Sequence, residues 1–193
     1  MSALALHSSR TASVDLLRSE HASALTQAVG IVGFAALAAL GAQVHIYLWE
    51  VPITLQTLAV YGSGLFLGWR NGLLAMGLYL LVGMFVPVYA GDGFGAAYLF
   101  GAVSAGYLLA YPLVGAVIGA ASKRWNSFAG SILSVMLGSA VLFTCGVVWL
   151  HYAADHATWL ESLDKGWFRF LLWDVAKVIL VGAAYTGARR LTA

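Results

Sequence analysis

Residues 170–182, FLLWDVAKVILVG, place Asp174 and Lys177 in a run otherwise made of apolar residues. A carboxylate offers only acceptors and an ammonium only donors. Three residues apart on a helix, the two share one face, with Cβ atoms about 5–6 Å apart. Together they suit a ligand that carries N–H groups and a carbonyl or carboxylate. Each charge at mid-bilayer costs at least about 2.5–3.5 kcal/mol, so neither faces lipid. They face a bundle interior, pair with each other, or meet a ligand. A purely structural ion pair is the competing reading, although desolvation offsets most of its attraction. Ligand binding is favoured, because ionisable residues inside a membrane are functional by default.

Gln56, in VPITLQTLAVYGSG with Thr54 and Thr57 beside it, forms a second polar set. A Gln in a membrane helix is either a ligand contact or interhelical glue of about 0.6–2 kcal/mol. The loop YAGDGFG (89–95) brings three glycines, which permit close backbone approach, and Asp92. Tyr89, Tyr98, Tyr107 and Tyr111 are pocket-lining candidates, or packing and interface residues. His45 reads as a hydrogen-bonded structural residue, and Cys145 as a small buried hydrophobe. There is no G-x-x-x-x-G-K-[ST] and no H-E-x-x-H. GDGFGA (91–96) lacks the βαβ setting of a dinucleotide fingerprint. No nucleophile beside a base is visible, so no catalytic residue, metal or cofactor is expected.

The elements that must position these groups are membrane helices. Of 193 residues, 61% are hydrophobic and 9% charged, against about 25% charged in soluble domains; mean hydropathy is +0.85. The net charge of +2 with scattered basic residues gives no nucleic-acid footprint. Runs long enough for a bilayer lie at about 24–48, 51–69, 71–91, 97–122, 126–151 and 167–188. WRNG (69–72) reads as a tight turn, SKRWNS (122–127) as a connection, and Pro52 as a first-turn residue of the second helix. The longest polar connection is 151–166.

With the N-terminus in the cytoplasm, Arg10, Arg18, Arg70, Lys123, Arg124, Arg189 and Arg190 fall inside, and Lys165 and Arg169 outside. That is a positive-inside pattern. The expectation is an all-α, polytopic integral membrane protein: a six-transmembrane-helix bundle with both termini cytoplasmic. Residues 1–23 form a cytoplasmic N-terminal tail, 24–188 the substrate-binding domain in the lipid bilayer, and 189–193 a C-terminal tail. Small-residue pairs Gly64/Gly68, Gly115/Gly119, Ala35/Ala39 and Ala38/Ala42 mark close helix contacts. The first helix also offers a small-residue surface to another membrane protein.

Residues 39–91, with VPITLQTLAV, LGWRNG, LYLLVG and PVYAG, together with AGYLLAY (105–111) and DVAK (174–177), resemble the BioY family. These are the biotin-binding S components of energy-coupling-factor transporters. The likeness spans about 31–185. It implies a six-helix membrane protein of a bacterial inner or plasma membrane that captures biotin on the extracytoplasmic side. Active uptake would require a transmembrane coupling subunit, docked on the first helix, and two ATPase subunits that alone use ATP. Asp174 and Lys177 would clamp biotin, with Asp174 on the ureido N–H groups and the partner of Lys177 open. Gln56, Tyr89, Gly91 and Tyr107 would complete the site. AVSAGY (102–107) carries Val103 and Ala105 where the family has Pro and Gly, and Asp92 stands where Gly is common. Another small heterocyclic vitamin or metabolite therefore stays open as ligand, as does a structural membrane protein with a buried ion pair.

Overall fold

The computed structural model describes residues 17–19, 22–47, 50–125 and 127–192. Most of the expected N-terminal tail, Arg10 included, lies outside these residues. Helices dominate the described chain, and its one sheet is a two-residue ladder. Its helices are α1 (Ala24–Gln43), α2 (Gln56–Gly83), α3 (Gly95–Gly101), α4 (Ala105–Arg124), α5 (Phe128–Ala153), α6 (Trp159–Gly166) and α7 (Leu171–Thr192). Among the described residues, five helical stretches are long and apolar enough to cross a membrane. Large apolar side chains such as Leu25, Phe85, Leu133 and Leu172 stand exposed on the bundle, as a lipid-facing surface requires. The protein is a multi-pass membrane protein.

α2 is the element that departs most from a plain span. A straight helix would separate Gln56 from Tyr79 by about 35 Å. Instead the Gln56 Nε2 donates to the Tyr79 hydroxyl at 2.5 Å. The chain reverses at Gly68, whose φ of 76° and ψ of −178° only glycine adopts without strain. Two antiparallel limbs, 56–67 and 69–83, result. They touch so closely that a Cβ on Gly72 would lie 3.1 Å from the Ser63 carbonyl oxygen. The turn expected at 69–72 thus falls just upstream, at Gly68.

The limbs pack on α4 through the glycine pairs. A Cβ on Gly64 would stand 2.7 Å from the Gly115 carbonyl oxygen, and one on Gly119 would run into the Trp69 backbone nitrogen. α1 lies against α2 with only Ala35, Ala38 and Ala42 buried. Ser23 caps it by accepting from the Thr26 amide at 3.1 Å. Ser127 caps α5 and Thr158 caps α6 in the same way.

Three expectations change. Pro52 is not in a helix. α1 stops at Gln43, and the connection to α2 closes as an antiparallel ladder pairing His45 with Thr54 and Ile46 with Ile53. Pro52 precedes β2 (Ile53–Thr54), where its missing N–H costs no ladder bond. The expected span 97–122 is also broken: α3 ends at Gly101, Ala102 is extended, and α4 starts at Ala105. α7 runs on through Arg189 and Arg190 to Thr192, so 189–192 extend the last helix.

Arg18 ties the chain's beginning to the bundle. Its guanidinium donates to the Tyr185 hydroxyl at 2.6 Å, Ser122 Oγ at 2.8 Å and the Gly119 carbonyl at 3.3 Å. A cation at the end of α4, beside Lys123 and Arg124 in its last turn, also complements the helix dipole.

Candidate functional site

A cavity opens between the connection that carries β1 (His45–Ile46) and β2, the first turns of α2, α4 and α7, and the middle of α5. Its empty volume, including the opening to solvent, is about 630 Å³. Val51, Pro52, Ile53 and Thr54 form one wall, and Ala90 and Tyr98 another. Tyr107 and Tyr111 come from α4, Phe143 from α5, and Trp173 from α7 beside Phe170. Aromatic packing stiffens this side: Phe143 stacks on Trp167 at 5.5 Å and meets Tyr107 edge-on at 6.1 Å.

Gln56, Tyr107, Asp174 and Lys177 all line the cavity. Asp174 is 6% exposed. Its Oδ1 accepts from the Tyr61 hydroxyl at 2.5 Å and its Oδ2 from Ser139 Oγ at 2.5 Å. Lys177 Nζ donates to the Thr54 carbonyl at 2.7 Å and to Thr57 Oγ1 at 3.0 Å. The two are not ion-paired: among the described residues the ion pairs are Glu50 with His156 and Lys165, Lys165 with Glu161, and Arg169 with Asp164. Each charge is therefore held separately at the cavity wall.

Gln56 is the first residue of α2 and nearly fully buried. Besides donating to Tyr79, it accepts at Oε1 from Thr54 Oγ1 at 3.0 Å and from the Tyr111 hydroxyl at 3.3 Å. The Tyr107 hydroxyl donates to the Gly166 carbonyl at 2.7 Å, joining α4 to α6.

Tyr89 and Gly91 do not line the cavity; Ala90 between them does. The Tyr89 ring stacks behind Tyr98 at 5.5 Å, and its hydroxyl donates to the Leu80 carbonyl at 2.7 Å. Burial, with Tyr98 beside it, pushes the Tyr89 phenol up to about 12. Gly91, at φ 67°, lets the loop pass the Tyr47 hydroxyl, which a Cβ would approach to 2.8 Å. Asp92 follows in the same left-handed region and is exposed. His45 Nδ1 bonds the Ala42 carbonyl at 3.0 Å.

Tyr61, Tyr79 and Ser139 escaped the sequence reading. A serine in an apolar helix satisfies itself on its own backbone, as Ser134 does on the Gly130 carbonyl at 2.8 Å. Nothing in the sequence separates Ser139 from Ser134. In the sequence Glu50 is simply an acidic residue two positions before Pro52. In the structure it accepts from Lys165 Nζ at 2.8 Å and meets His156 Nε2 at 3.2 Å. His156 Nδ1 bonds Ser162 Oγ at 3.0 Å. Ser162 is 0% exposed, and none of Glu50, His156 and Ser162 lines the cavity; this acid–imidazole–hydroxyl row fastens Glu50, next to the cavity wall, to α6.

A multi-pass helical bundle with a mostly apolar cavity and two opposite charges held apart in its wall defines a membrane protein built to hold a small ligand with a polar head. The chain belongs to the BioY family, whose profile matches residues 11–193. It is 33% identical over 148 residues to the biotin transporter BioY of Thermotoga maritima, covering 76% of this chain and 86% of that protein. It is also 33% identical over 150 residues to biotin transporter BioY2 of Lactococcus lactis subsp. cremoris, covering 76% and 81%. A crystal structure of the S component for biotin from an ECF-type ABC transporter superposes with a TM-score of 0.77. The identity is 25%, over 86% of this chain and 90% of that one. The family is one of transporter components and not of enzymes.

Proposed function

We propose that this protein is a substrate-binding membrane subunit that captures biotin on the extracytoplasmic side for uptake. The observation that carries the reading is that Asp174 and Lys177 reach one cavity without pairing. A carboxylate has about four acceptor sites and an ammonium three donors. Two acceptor sites of Asp174 and two donors of Lys177 are occupied by the protein. The remainder suits biotin, whose cyclic urea presents two N–H groups and a carbonyl, and whose side chain ends in a carboxylate. Asp174 takes one of the N–H groups. Lys177 takes the carbonyl or the carboxylate, and the aromatic walls take the apolar rings and chain. Gln56 and Tyr107 complete the polar lining, while Tyr89 and Gly91 support the loop that carries Ala90.

In this reading the two limbs of α2 count as separate crossings, giving six, and both termini lie in the cytoplasm of a bacterial cell. Residues 24–188 form the binding domain. The Lys and Arg distribution and the reversal at Gly68 support this arrangement. The chain itself uses no ATP or other cofactor. A transmembrane coupling subunit, seated on the sparsely buried α1, and two ATPase subunits supply the energy.

Calorimetric titration of the purified protein tests the reading. Biotin should bind with saturation at micromolar concentration or below, while riboflavin and pantothenate should not. Biotinamide identifies the partner of Lys177: a large loss of affinity relative to biotin assigns the carboxylate, and parity assigns the carbonyl. No heat with biotin, and saturable heat with another vitamin, would replace the ligand.

A further inference from the structure

The Asp174 carboxylate is held by two hydroxyls that are not part of the cavity. Tyr61 is on the first limb of α2 and Ser139 on α5; each donates to a different carboxylate oxygen, both at 2.5 Å. Asp174 lines the cavity, and neither of its two donors does. Tyr61 is 0% exposed and Ser139 7%. Two elements other than α7 thus hold one side chain of α7, without reaching the ligand's space.

The alternative partner is one turn away. Side chains at this spacing come within reach of each other, and opposite charges attract most strongly where water is excluded. An uncommitted Asp174 would close on Lys177, and the site would neutralise itself. Lys177 is committed to other partners, the Thr54 carbonyl and Thr57 Oγ1 at the start of the first limb of α2. Neutral hydroxyls are suited to holding the acid, because they satisfy part of the carboxylate and leave its charge in place.

We infer that Tyr61 and Ser139 are positioning residues for ligand capture: their hydroxyls hold Asp174 off Lys177 and keep its remaining lone pairs open to N–H donors in the cavity. The inference rests on the biotin reading above. It makes the empty site preorganised, so that binding does not first have to break an internal ion pair.

Equilibrium binding of radiolabelled biotin to the full-length protein tests it. Tyr61→Phe and Ser139→Ala should each weaken binding by about 10-fold or more, the loss typical of a hydrogen bond to a charged group. Ser139→Thr, which keeps the hydroxyl, should stay within about 2-fold of wild type, the scatter of independent changes. In an Asp174→Asn background, Tyr61→Phe and Ser139→Ala should cause no further loss. Unliganded melting temperatures should fall little, because the released carboxylate gains Lys177. A merely structural role predicts the same loss with and without Asp174. That result, or unchanged affinity in both single variants, overturns the inference while the biotin reading stands. Absence of biotin binding by the wild type overturns the biotin reading, and this inference with it.

Discussion

Gln56 and Tyr79 are 23 positions apart, on opposite limbs of α2, yet the amide of the first donates to the hydroxyl of the second at 2.5 Å. That bond exists because Gly68 turns the chain back on itself, and it brings Tyr79 behind a residue of the cavity wall. Tyr79 in turn donates to the Val88 carbonyl at 3.2 Å and lies 6.3 Å from the Tyr111 ring. The hairpin thereby fixes both the polar corner of the site and the loop leading to Ala90.

Gly68→Ala should destabilise the protein by about 1–3 kcal/mol, because a Cβ is strained at φ 76°. Gly77 supplies the control. It sits in the second limb with nothing within 4 Å of an added Cβ, so Gly77→Ala should be neutral or stabilising by up to about 1 kcal/mol. Thermal unfolding in detergent checks the pair; equal effects from both would remove the special role of the turn.

Much of this architecture was legible in the sequence because a bilayer imposes crude, readable demands: apolar runs of fixed length and rare buried charges. Asp174 and Lys177 stood out for that reason. What stayed hidden was whatever depends on the third dimension. Charge spacing along α7 could not reveal that Thr54 and Thr57 draw Lys177 away from Asp174. Pro52 looked like a helix start because the two-residue ladder beside it is too short to show an alternating pattern. Tyr89 and Gly91 were one residue off the cavity on either side of Ala90, a distinction set by the left-handed turn at 91–92.

Glu50→Gln should loosen the wall formed by residues 51–54. The substitution removes the charge that holds Lys165 and His156. The pairs are partly exposed, so the effect is modest, about 0.2–1 kcal/mol. It should appear as a faster release of biotin, up to about 5-fold, with the association rate little changed. Stopped-flow kinetics at low and high salt checks this; the difference between variant and wild type should shrink as salt rises.

The raised phenol of Tyr89 makes an alkaline prediction. A group whose folded pKa exceeds its unfolded value contributes stability below the unfolded value, near 10, and loses it as pH climbs toward the folded value of about 12. At neutral pH, Tyr89→Phe should cost about 1–3 kcal/mol by leaving the Leu80 carbonyl without its partner. Between pH 10 and 12 that gap should narrow. Melting curves of both proteins across this range decide; a constant gap would show that Tyr89 titrates normally.

Asp174→Asn and Lys177→Met should each weaken biotin binding by about 10- to 150-fold, the range for a lost hydrogen bond to a charged group. The asparagine amide retains one acceptor and presents donors where the ligand's N–H groups arrive. The methionine also leaves the Thr54 carbonyl unpaired. If the two residues were only an internal brace, stability would fall and affinity would not. Equilibrium dialysis with melting curves on the same preparations separates these results.

An experimental structure with biotin bound would test the central claim most directly. The expected result is one urea nitrogen within about 2.7–3.2 Å of the Asp174 carboxylate, Tyr61 and Ser139 still donating to it, and Lys177 apart from it beside Thr54. Biotin lodged elsewhere, or an Asp174 carboxylate bonded to Lys177 with the ligand out of reach of both, would contradict it.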